Sequence, residues 1–384
     1  MKKIYSFDFL RLFLTVCIVL YHISFLRGPV LKQGYLAVEA FFVLSGFLLV
    51  NSYFKYNTLF SNVDLLKKII FNKAKRLYPE YLFMTFLSCI IYTFLFDKHG
   101  MYKDIFYNLI MYGHLGLSDN IVAGSWFVGA LFWGILIMGG LLIKYKETFF
   151  ILTSPFCFLF SVLLLYHCNN TSLMMASNLI LNIFPAGLLR AIAGLSVGMI
   201  SYYIYYHKWY ENKIANIVTL SISLIFFFIL CTDKTADASV YSIYFFAAFI
   251  VLGCSVLDCY LERFCKNKFV IYMSNISYMV FLSNILVINI FEKYLPYSDF
   301  MNKDIYQFLI FITCYVIAGI LFYTQKWLFS KLKQILFISQ PGLLSQHIEN
   351  TMKNRMPGGV ISVLSYIKLK LCNDNLMMRY LNAA

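Results

Sequence analysis

Four ionisable side chains, Asp8, Arg11, His22 and Glu39, interrupt an otherwise largely apolar stretch over residues 7–53. A charge at the centre of a membrane helix costs roughly 2.5–3.5 kcal/mol, so groups of this kind are retained for a purpose. Arg11 and His22 stand eleven residues apart. On a helix that spacing puts them within about 20° on one face and about 16 Å apart along the axis. Asp8 precedes Arg11 by three residues, close enough for a carboxylate to neutralise the guanidinium. If the stretch forms an antiparallel hairpin around the loop 26–33, His22 and Glu39 fall at similar depth. A carboxylate there can orient and polarise the imidazole, which makes a general base. A lone membrane histidine more often serves as a hydrogen-bond partner in helix packing. Three further ionisable groups on the same hairpin favour catalysis.

The elements that must hold these groups follow from composition. The 384 residues are 61% hydrophobic and only 13% charged, against about 25% charged in a soluble domain. The expected fold is all-α: a polytopic integral membrane protein. Apolar runs of spanning length lie at about 7–25, 34–53, 79–96, 126–143, 149–167, 183–206, 214–231, 240–259, 269–291 and 305–329. That makes about ten transmembrane helices. The segment 104–116 is too short and mixed to span, and reads as a re-entrant or interfacial piece. A membrane domain over 1–335 is followed by a tail, 336–384, broken by Pro341-Gly342 and Pro357-Gly358-Gly359. Within the tail, Val360–Leu371 is weakly amphipathic, which suits a passive cytoplasmic extension and a helix lying on the membrane surface equally.

The net charge of +14 invites a nucleic-acid reading, but its distribution excludes one. Lysines and arginines fall in short connections between apolar runs, as the positive-inside rule requires. Lys55, Lys67, Lys68, Lys73, Lys75 and Arg76, with later clusters near 144, 208 and 266, face the few basic residues of the alternate connections. Both termini are therefore expected in the cytoplasm, with His22 and Glu39 towards the outer face. The ten cysteines lack CxxC or zinc spacing and read as small core hydrophobes, with no metal site. Met1-Lys2-Lys3 leads straight into a spanning segment without a small-residue cleavage site, so the first helix is expected to be retained.

Several motifs carry a family resemblance. Arg11 and His22 form an Arg-X10-His pair. Gly34-Tyr-Leu-Ala-Val-Glu39-Ala-Phe-Phe-Val-Leu-Ser45-Gly46-Phe47 follows, then Lys73-Ala-Lys75-Arg76-Leu-Tyr-Pro79, the mid-chain stretch Pro185 to Arg190 with Gly194, and Ser277-Tyr278-Met-Val-Phe-Leu-Ser-Asn284. Together they resemble the membrane acyltransferase-3 family, which O-acylates surface glycans and related acceptors, over about residues 5 to 330. Three departures stand out. Lys73 replaces an arginine, keeping charge but losing the bidentate fork. Leu131 stands where a Trp-x-x-x-x-Glu pattern has its acid, and Asn284 where a late histidine is common.

The resemblance implies that acyl-CoA is the donor and that His22 is catalytic; the hairpin geometry adds Glu39 behind the imidazole, and acetyl-CoA is the donor expected. Coenzyme A brings phosphates, for which Lys73, Lys75 and Arg76 are placed at the inner surface; the same cluster is also what topology alone requires. Arg11 can hold the donor pyrophosphate or a developing oxyanion, or can simply pair with Asp8. Ser45-Gly46 allows close backbone approach to substrate or to another helix. Arg190, a single intramembrane cation, calls for a partner across the bundle or a phosphate. Trp126 can stack on a sugar ring or anchor the interface. His99, His114, His167 and His207 have no ligand spacing. The function expected is a transmembrane O-acetyltransferase in a bacterial plasma membrane, acting on a cell-surface polysaccharide or lipid-linked sugar. The competing expectation is a carrier or polymerase of lipid-linked glycans.

Overall fold

A backbone at membrane depth has no water to bond to, so each apolar run must satisfy its own N–H and C=O groups by closing into a helix. The computed structural model describes residues 3–27, 31–98, 100–113, 120–169, 179–181, 183–208, 212–232, 238–297 and 302–338. Helices α1 (Ser6–Arg27), α2 (Ala37–Tyr56), α3 (Asn62–Phe96) and the short α4 (Ile105–Leu109) come first. They are followed by α5 (Trp126–Tyr145), α6 (Ser154–Asn169), α7 (Ala186–Tyr206) and α8 (Lys213–Thr232). The last are α9 (Ile243–Val256), α10 (Asp258–Cys265), α11 (Lys268–Tyr294) and α12 (Lys303–Ile338). Among the described residues the only sheet is a two-residue antiparallel pair, Leu179–Ile180 with Phe184–Pro185, just before α7.

Among the described residues ten helices are long and apolar enough to cross a membrane, in agreement with the ten apolar runs. The protein is an all-α polytopic membrane protein. Residues 101–109 do not span: a 3-10 turn leads into α4, whose buried Asn108 bonds back to Asp104 O at 2.8 Å and accepts from Ile121 N at 3.2 Å. The third helix departs from expectation. It begins at Asn62, not near residue 79, so Pro79 falls inside it. Ser61 caps its start, its hydroxyl accepting from Asp64 N at 3.3 Å. The charged first half is thus continuous with the spanning half, which puts the basic motif on a rigid helix. The proposed surface helix at 360–371 lies outside the described residues.

Burial separates the centre of the bundle from its rim. The span containing α2 is 83% buried, whereas those of α3, α6 and α8 are 28% buried and show phenylalanines and isoleucines outward. The most extensive packing joins α2 to α7, and α1 packs chiefly on α11. Glycines set the first of these contacts: a Cβ at Gly46 would collide with the Leu195 carbonyl, and one at Gly198 with that of Val43. Small residues let two backbones approach where apolar lipid supplies no drive to associate. The start of α1 is tied to α9 and α10, with Ser6 N donating to Asp258 Oδ1 at 2.8 Å and Ser6 Oγ to Cys254 O at 2.7 Å. Residues 1–325 form one compact unit; of a second, 326–384, only the end of α12 is described.

Candidate active site

Helix α1 carries polar side chains towards both of its ends, Asp8 and Arg11 near the start and His22 near the finish. Near its start, Arg11 Nη1 donates to Asp8 Oδ1 at 2.7 Å, and Lys3 Nζ lies 2.7 Å from Asp8 Oδ2. The helix-fixing ion pair of the sequence reading is therefore formed. It does not stand alone: Arg11, Lys73 and Arg76 lie close enough to act on one another electrostatically. Lys73 and Arg76, three residues apart, share a face of α3. Lys75 falls on another face of the same helix; both it and Arg76 are exposed, and Lys73 is half-buried. Of the three cations expected from the basic motif, Lys73 and Arg76 are thus near enough to Arg11 to act on it. The lysine-for-arginine departure places a point charge in this group where a planar fork would otherwise stand.

His22 sits about 16 Å further along α1, half-buried. That separation removes one alternative, since Arg11 cannot reach an oxyanion formed in a reaction at His22. The imidazole Nδ1 lies 2.5 Å from Asn284 Oδ1, a fully buried amide on α11. The Asn284 Nδ2 donates to Phe281 O at 2.7 Å and Val280 O at 3.1 Å. Beside His22, the Tyr21 ring makes edge contact with Tyr35, their centroids 5.4 Å apart.

The expected pairing of His22 with Glu39 is not what the structure contains. Glu39, in the first turn of α2 and fully buried, accepts from Arg190 Nε at 2.7 Å through Oε1 and from the Tyr244 hydroxyl at 2.7 Å through Oε2. Arg190 Nη2 forms an ion pair with the same Oε1. Both carboxylate oxygens are thereby engaged, and His22 takes an amide in place of an acid. The physical reason is the packing: α2 is drawn against α7 by the glycine contacts, while α1 is drawn against α11. Similar depth along the hairpin does not bring two side chains together when their helices face different neighbours.

The same arrangement answers the question of Arg190. Its partner is Glu39, across the bundle, and its guanidinium carbon lies 4.5 Å over the Trp126 ring. Trp126, at the start of α5, is thus stacked on Arg190 on one face, which limits it as an open sugar platform. Ser45 is buried in α2 immediately before the close-packed Gly46, the packing alternative of the sequence reading. Two residues that now matter carried no assigned role. Asn284 stood out in the sequence only as a departure from a family pattern, although an amide within an apolar helix is itself a signal; Tyr244, one aromatic among thirty tyrosines, offered none.

No group of three or more His, Cys, Asp or Glu among the described residues is arranged to hold a metal. The fold defines a class: an all-α polytopic membrane protein, here with a histidine towards one end of α1 and a group of cations towards the other. The chain matches the acyltransferase-3 family, described as an acyltransferase domain, over residues 4–324, and it belongs to that family. It is therefore a membrane acyltransferase, which decides against the carrier or polymerase. No curated protein and no solved structure matches the chain.

Proposed function

We propose that the protein is an O-acetyltransferase that moves an acetyl group from cytoplasmic acetyl-CoA to a hydroxyl of a cell-surface polysaccharide or lipid-linked sugar. The observation that carries the reading is the placement on one helix of His22 and, about 16 Å away, of Arg11 within reach of Lys73 and Arg76. Three cations suit the phosphates of coenzyme A. An extended pantetheine arm then leads the thioester along α1 towards His22. In this reading the Arg11 end faces the cytoplasm of a bacterium, consistent with the basic connections, and the acceptor enters from the opposite side.

The reaction is base-catalysed acyl transfer. His22 takes the proton of the acceptor hydroxyl as its oxygen bonds to the thioester carbonyl carbon. The tetrahedral intermediate collapses, the carbon–sulfur bond breaks, and the proton passes to the departing thiolate. Products are the acetyl ester and free coenzyme A. Glu39, Arg190, Tyr244 and Trp126 have a different part: they hold α2, α5, α7 and α9 together beside the acceptor's entry, and the base acts without a carboxylate on it.

Purified protein in lipid nanodiscs, given acetyl-CoA and an acceptor oligosaccharide, is expected to release free thiol and to acetylate the sugar. His22→Ala, inserted normally, is expected to do neither. Equal thiol release by the variant would overturn the assignment of the base, and an inert wild type that binds acetyl-CoA would overturn the donor.

A further inference from the structure

The amide of Asn284 has two ends with different obligations. Its Nδ2 group can only donate, and it faces two carbonyls one turn back along α11, Phe281 O at 2.7 Å and Val280 O at 3.1 Å. Carbonyls only accept, so turning the amide round would set Oδ1 against two other acceptors in a fully buried place. The oxygen is therefore fixed towards His22 Nδ1, 2.5 Å away. An amide oxygen has no proton to give. The hydrogen in that bond belongs to the imidazole.

We infer that Asn284 is a positioning residue that holds His22 as the Nδ1–H tautomer and leaves Nε2 as the basic nitrogen. The inference rests on the reading of His22 as the general base. A neutral imidazole has two tautomers, and which one is present is set by the bond its other nitrogen makes. With the proton on Nε2 the ring has nothing at that atom to accept the hydroxyl proton. With it locked on Nδ1, every turnover begins with an open lone pair at Nε2. The Nδ1 proton never leaves. Nε2 gains one proton as the ester bond forms and loses it to the thiolate as the carbon–sulfur bond breaks, so the ring returns to its starting tautomer. The amide gives the transient cation a hydrogen bond but no counter-charge. Asn284 thus replaces the acid that Glu39 was expected to supply.

The test uses protein labelled with nitrogen-15 histidine in lipid nanodiscs, with His22→Gln identifying the His22 signal by its loss. The wild-type signal is expected to be that of the Nδ1–H form. Asn284→Leu is expected to admit the Nε2–H form and to lower kcat on the order of a hundred-fold, the lower end of what general-base catalysis contributes, with KM for acetyl-CoA unchanged. Asn284→Asp, with its second carboxyl oxygen protonated to donate towards the Phe281 carbonyl, keeps an acceptor at Nδ1, so it is expected to keep the tautomer and to retain more of kcat than the leucine variant. A wild-type signal in the Nε2–H form, or wild-type kcat in Asn284→Leu, would overturn the inference. Should Asn284→Leu fail to fold, the wild-type spectrum and the aspartate variant decide. If His22→Gln still transfers acetyl groups, the reading of the base fails while the tautomer result stands on its own spectrum.

Discussion

At the scale of residues, the bundle separates two kinds of polar group that the sequence ran together. Glu39 and Arg190 are almost completely buried and satisfy one another, with Tyr244 on the second carboxylate oxygen and Trp126 over the guanidinium. Removing one partner strands the other as an uncompensated charge, which costs about 3–5 kcal/mol. Glu39→Ala is therefore expected to lower the thermal stability of the detergent-purified protein by that order. The double change Glu39→Leu with Arg190→Met removes both charges and is expected to recover most of the loss. A stable Glu39→Ala protein that is nonetheless inactive would instead place the carboxylate in the chemistry. The residue types and depths of these groups were legible in the sequence, but their partners were not. The hydrogen bond from His22 to Asn284 spans 262 positions, and nothing local to either residue anticipates it.

Among the elements, the decisive contact is that of α2 with α7. Hydropathy revealed the ten spanning helices found among the described residues, because each span is long enough to register by itself. It could not reveal which helices touch, since lipid and protein interior are similarly apolar. Gly46 and Gly198 hold that information only once the two backbones are seen together. Gly46→Leu is expected to destabilise by the upper part of the roughly 1–3 kcal/mol that overpacking costs, because the obstacle is the Leu195 backbone and not a movable side chain. Gly140→Leu, where an added Cβ meets nothing within 4 Å, is expected to leave the melting temperature unchanged. Equal effects at both positions would mean that α2 and α7 are not locked by close approach. The continuous α3 is the other lesson at this scale. A proline read as a starting point lies within a helix, and the basic motif consequently sits on that helix and not in a loop.

For the molecule as a whole, the proposed function has α1 join two chemistries: cations towards one end and an imidazole towards the other. Arg76→Ala is expected to raise KM for acetyl-CoA about tenfold or more, in line with the about 1.5–3 kcal/mol of a hydrogen bond to a charged group, with kcat little changed. Lys75→Ala, on another face of α3, is expected to cost less; the reverse order would move the donor site off the face shared with Arg11. The most direct test of the central claim is the mass-spectrometric acetyl content of the surface glycan in cells that express His22→Ala at the wild-type level in the membrane. Loss of the acetyl groups, restored by the wild-type gene, is what the account predicts. Full acetylation by the alanine variant would contradict it.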